Sequence, residues 1–72
     1  MNLTEVNFMA DYMEIYGIPK VMAEVILNKA MNDRIMHALV IKWFDLTDDE
    51  LRDMLYKKMV EYALSDTDGT IN

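Results

Sequence analysis

The middle of the chain reads IMHALVIKWF at residues 35–44, an apolar run interrupted only by His37 and Lys42. So much apolar surface in one segment has to be covered by other parts of the chain or by a partner. LVIKWF is rich in β-branched and aromatic residues, and propensity alone permits a strand there. A strand needs a hydrogen-bonded neighbour, however, and no other segment alternates convincingly, so the strand reading would require pairing across a dimer. The segment therefore reads as a helix, apolar nearly all round and hence central to an all-α structure.

Helix punctuation organises the remainder. Asn2 and Glu5 stand three residues apart, a variant of the capping box, and start a helix over residues 3–16. Gly17 offers a left-handed stop, and Pro19 suits the first position of a new helix. On the first helix Thr4, Asn7, Asp11 and Glu14 form one narrow polar stripe. Leu3, Val6, Met9, Ala10, Met13 and Tyr16 cover one apolar face, while Phe8, Tyr12 and Ile15 form a second. A helix apolar on both sides predicts cover on both sides, which favours a second chain.

PKVMAEVILNKAM at residues 19–31 predicts a second helix, with Met22, Ala23, Ile26, Leu27 and Ala30 inward and Lys20, Glu24 and Asn28 on the wet side. Asn32 and Asp33 either break this helix and cap the next or lie on the surface of one long helix. LTDDEL, at residues 46–51, is the clearest boundary. Thr47 and Glu50 fit a capping box, Leu46 and Leu51 fit a hydrophobic staple, and Asp48 and Asp49 favour the positive end of the helix dipole. The last helix is expected to reach about residue 64, with Leu51, Met54, Leu55, Met59, Tyr62 and Ala63 as its core face. Residues 1–64 thus form a single helical domain, and residues 65–72 a polar, flexible tail.

A chain of 72 residues is small. A domain of this size buries only about 60% of the surface its unfolded chain exposes, and natural chains in this range usually add disulfides, a metal or a partner subunit. Cysteine is absent and His37 is the only histidine, which excludes disulfides and the usual structural zinc sites. The eight methionines fill irregular cores or line adaptable surfaces. Met9, Met13, Met22 and Met36 exceed what so small a monomer is expected to bury, a further sign of an interface.

The net charge of −6, from 13 acidic and 7 basic residues, opposes direct nucleic-acid binding, which needs a contiguous basic face. A helix-turn-helix regulator built from the first two helices is the alternative, but the second helix offers only Lys20, Asn28 and Lys29, with Arg34 beyond. No signal peptide and no long apolar run is present, so a soluble, cytoplasmic protein without membrane contact is expected.

Catalytic constellations are missing. Nucleophilic catalysis would need Cys or Ser, and the only serine is Ser65 in the tail. The two glycines, Gly17 and Gly69, cannot form a phosphate loop, and no catalytic pair of carboxylates is evident. DTDGTIN at residues 66–72 resembles part of the calcium loop of EF-hand proteins, with Gly69 at the turn, Asp66 and Asp68 on ligand positions and Ile71 on the apolar one. Leu64 stands where the first carboxylate belongs, and the bidentate glutamate does not follow, so a polar tail is the better reading.

The expected structure is therefore an all-α bundle of three or four helices, completed by dimerisation. Phe8, Tyr12, Ile15, Met36, Trp43 and Phe44 are its candidate apolar contact residues, with Trp43 and Phe44 as the anchoring aromatics. Asp45, Asp48, Asp49, Glu50 and Asp53, against the single base Arg52, form an acidic patch for a basic site on a partner. The function this implies is a small non-enzymatic regulator or inhibitor acting by protein–protein contact, with no cofactor, metal or small-molecule substrate. By compositional analogy alone the chain resembles small acidic phage-encoded proteins that block host machinery. A structural assembly subunit is a further alternative.

Overall fold

The computed structural model describes the backbone of residues 2–69 and the side chains of residues 2–65. Within them the chain is all-α, with four helices and no strand: α1 (Leu3–Ile15), α2 (Lys20–Asn32), α3 (Arg34–Asp45) and α4 (Asp49–Gly69).

The capping box at the start of α1 is formed in both directions. Asn2 Oδ1 accepts from the Glu5 amide at 2.9 Å, and Glu5 Oε1 accepts from the Asn2 amide at 3.0 Å. At the other end Gly17 takes φ +93°. Its amide donates to the Glu14 carbonyl, and the Ile18 amide donates back to the Met13 carbonyl at 3.3 Å. This is a Schellman turn, and its two apolar flanks, Met13 and Ile18, are both buried. Pro19 stands just before α2 rather than inside it.

The chain breaks between α2 and α3. Asp33 adopts an extended backbone, closes α2, and caps α3 by accepting from the Met36 amide at 3.0 Å. Tyr62 of α4 places its hydroxyl 3.0 and 2.8 Å from the two oxygens of the same carboxylate. Lys29 of α2 lies 3.4 Å from that carboxylate, with its ammonium 5.0 Å above the Tyr62 ring. One side chain thus ties three helices together. Its carboxyl is held below the ordinary value of 3.8, first by the Met36 amide, then by the Tyr62 hydroxyl and by Lys29.

The central element is α2 rather than α3. Its backbone approaches all three other helices, whereas the backbone of α3 approaches α2 and α4 and meets α1 only through side chains such as Phe44 on Tyr12. Its inner face, Ala23, Ile26, Leu27 and Ala30, includes two alanines that let neighbouring backbones approach. α1 contributes Val6, Ala10 and Met13 to the core, and α3 contributes Met36, Val40 and Trp43. Both sets follow i, i+4, i+7 spacing, so each helix commits a single stripe to the interior. The outer face of α3 leaves Ile35 and Ile41 exposed, and the run at residues 35–44 is not enclosed by its own chain.

The methionines are not all interior: Met13, Met36 and Met59 are fully buried, Met9 and Met22 are partly buried against the core, and Met31 and Met54 are exposed. Other expectations are corrected in α4. α4 is capped by Asp48 rather than Thr47, because Asp48 Oδ1 accepts from the Glu50 and Leu51 amides at 2.9 and 3.1 Å. Leu51 and Met54, expected on the core face, are exposed; among the described residues of α4 Met59 is fully buried, with Leu55, Tyr62 and Ala63 partly covered. The backbone of α4 continues to Gly69 instead of ending near residue 64. The last part of DTDGTIN, residues 70–72, lies outside the described residues.

Candidate functional site

The end of α1, the last turn of α3 and the start of α4 converge on a cluster of rings. Trp43 meets the Tyr16 ring edge-on at 5.6 Å and the Phe44 ring edge-on at 5.0 Å. Phe44 stacks on Tyr12 at 5.3 Å, and the Tyr12 and Tyr16 hydroxyls lie 3.0 Å apart. That shared hydrogen bond raises the Tyr12 phenol above its ordinary 10.0. It lowers the Tyr16 phenol, which the Arg52 guanidinium lowers further.

Arg52 is the base of the acidic run, and it turns inward. Its guanidinium carbon sits 4.3 Å from the Tyr16 ring centroid and 5.6 Å from that of Trp43. Its side chain is only 13% exposed, and Nη1 lies 3.7 Å from a carboxylate oxygen of Asp49. A guanidinium is weakly hydrated and flat, so it can lie on aromatic faces where an ammonium could not rest as easily. The Arg52 Nε is buried without a hydrogen-bond acceptor.

Beside this cluster a groove of about 520 Å³ opens between the α1–α2 turn and α4. Ile15, Tyr16, Gly17 and Ile18 form one wall, and Trp43 reaches it from α3. Asp49, Arg52, Asp53 and Tyr56 form the other. Those four follow i, i+3, i+4, i+7 spacing and so share one face of α4. The Schellman turn makes the groove, because it lets the chain reverse tightly enough for Tyr16 and Ile18 to lie on the same side.

The acidic residues around the groove do different work. Asp48 is occupied as the cap of α4. Asp53 pairs with Lys57 at 3.2 Å. Asp49 is 92% exposed beside Arg52, and Asp45 and Glu50 are also exposed. Arg52 therefore turns inward against Asp49, Lys57 stands against Asp53, and Asp45 and Glu50 add exposed negative charge beside them.

The six apolar contact residues expected from the sequence do not share one surface. Trp43 is 1% exposed and Met36 is fully buried, so both belong to the chain's own core and cannot anchor a partner. Phe44 is half-buried beneath Tyr12. Phe8 and Ile15 remain, 76% and 78% exposed on the outer side of α1, with Tyr12 at the margin. The inward Arg52, its contact with Tyr16 and the wall formed by Ile18 were missed. The lone base within an acidic run was the only local sign of them.

The remaining candidates are placed as follows. His37 is exposed at the α2–α3 corner. Among the described residues no three His, Cys, Asp or Glu side chains converge as metal ligands. Lys20 pairs with Asp11 at 3.2 Å, and Lys29 is largely covered by Asp33 and Tyr62. α2 therefore does not present a free row of cations. No described helix is long and apolar enough to cross a membrane. No protein-family model, curated protein or solved structure matches the chain.

Proposed function

We propose that this chain is a small non-enzymatic regulator that acts by protein–protein contact, using the acidic corner between α3 and α4 to engage a basic site on its partner. The observation that carries this reading is the inward Arg52. With that guanidinium on Tyr16 and Trp43, Asp45, Asp49, Glu50 and Asp53 face solvent at the corner, where the acids outnumber the two bases paired with them, Arg52 and Lys57. Such an excess of negative charge steers and orients a basic surface.

Selection of a random peptide library on the immobilised protein tests it. Enrichment of Lys and Arg is expected, as is loss of the selected peptides when Asp45, Asp49 and Asp53 are all replaced by Lys. Asp48 is left in place because it caps α4, and unchanged helical circular dichroism shows that the variant is folded. Selection of uncharged peptides that bind the charge-reversed variant equally well would overturn the reading.

Self-association is a second reading, supported by the exposure of Phe8 and Ile15 on α1 and of Val21 and Val25 on α2. The contact then involves the outer helix faces and not Trp43. Light scattering across a hundredfold dilution is expected to give a dimer mass that falls to the monomer mass in Phe8→Asp. A monomer mass for the unaltered chain throughout that range removes this reading.

A further inference from the structure

We propose that the groove between the end of α1 and the first two turns of α4 holds an apolar or aromatic side chain from a basic protein segment, whose neighbouring Lys or Arg residues pair with Asp49 and Asp53. This rests on the acidic-corner reading and adds to it an anchoring contact.

Three observations select this occupant. Ile15 and the rings of Tyr16 and Tyr56 give the groove an apolar side, backed by the buried Ile18 and Trp43 and facing Asp49, Arg52 and Asp53, so it accepts an apolar group next to charge. A volume of about 520 Å³ comfortably takes one large side chain and leaves room for its backbone. At the mouth, Asp49 and Asp53 stand 92% and 61% exposed. Asp49 and Asp53 already pair with Arg52 and Lys57, but both pairs are exposed on the acid side, and with Glu50 beside them carboxylates still outnumber cations for an incoming ligand. That excess favours a cationic segment over an anionic one. Gly17 adds no side chain to the wall, and nothing lies within 4 Å of where a Cβ would stand, so the entrance beside the turn is open.

Trp43 is the only tryptophan of the chain and lines this groove, so its fluorescence reports occupancy directly. Three synthetic peptides serve as probes: a lysine-rich peptide with one central Phe, the same peptide with that Phe replaced by Ala, and the Phe peptide with Glu for every Lys. Binding is measured by calorimetry alongside Trp43 emission.

The expected result is that the basic Phe peptide binds and shifts the emission. Its Ala counterpart should bind about tenfold to a hundredfold more weakly, the effect of burying one large apolar side chain. The Glu peptide should not bind. Ile15→Asp separates apolar contact from charge: it makes the rim more acidic, which electrostatics alone would reward, yet it is expected to weaken the Phe peptide. If both basic peptides bind alike, lose affinity when Asp49 and Asp53 become Lys, and leave Trp43 emission unchanged, the anchor is overturned and the acidic-corner reading stands. If binding is absent or indifferent to that charge reversal, both fall.

Discussion

Asp33 accepts hydrogen bonds from α3 and α4 while pairing with Lys29 of α2. Its lowered folded-state pKa makes this a stabilising arrangement whose sign with pH follows directly. The contribution is complete at pH values above the ordinary carboxyl value of 3.8 and is lost as the pH falls through the lower folded value. Asp33→Asn can still cap α3 but loses the charge that Lys29 and Tyr62 recognise. The variant is expected to melt several degrees below the unaltered chain at neutral pH, with the difference shrinking below pH 3.8, as thermal unfolding followed by circular dichroism would show. The sequence offered Asp33 as a cap but equally as a surface residue of one long helix, and the structure chose the cap. Tyr62 stands 29 positions away, and no local pattern links the two.

At the scale of single elements, α4 shows a choice between two neighbouring caps. Thr47 with Glu50 and Asp48 with Leu51 are both capping arrangements in sequence, and the first carries the better reciprocal partner. The fold uses Asp48, whose carboxylate receives two amides. Asp48→Ala is expected to cost about 1 kcal/mol in urea unfolding, whereas Thr47→Ala should change stability by less than about 0.5 kcal/mol. Equal losses at the two positions would return the cap to Thr47. Packing, not the cap, turns Asp49, Arg52, Asp53 and Tyr56 to the groove and Leu51 and Met54 to solvent.

For the whole molecule, the contrast between Trp43 and Phe8 separates core from contact surface. Trp43 is fully enclosed by α1, α3 and Arg52, while Phe8 projects from the far side of α1. Trp43→Ala is expected to destabilise the chain by about 3–5 kcal/mol, much of what a domain of this size has in total. Phe8→Ala should alter monomer stability by less than about 0.5 kcal/mol. Denaturant titration of both variants checks this, and a large loss at Phe8 in dilute solution would show that its face is covered.

The sequence by itself determined the helical class, the cap at Asn2, the stop at Gly17 and the cluster of acids around residues 45–53. Each of these depends on interactions within a few residues, namely side chains meeting nearby amides, a glycine free to take positive φ, and charges gathered along one short stretch. Tertiary structure decided which apolar stripe of each helix became core. The run at residues 35–44 is apolar on nearly every side, so its own pattern could not choose a face, and the choice fell to neighbours that could approach it. α2, with Ala23 and Ala30 on its inner side, allowed that approach and became the centre. The same packing drew Trp43 inside, folded Arg52 onto Tyr16, and thereby left the acidic rim and its groove facing solvent. Those contacts join residues far apart in the chain, and only the three-dimensional arrangement brings them together.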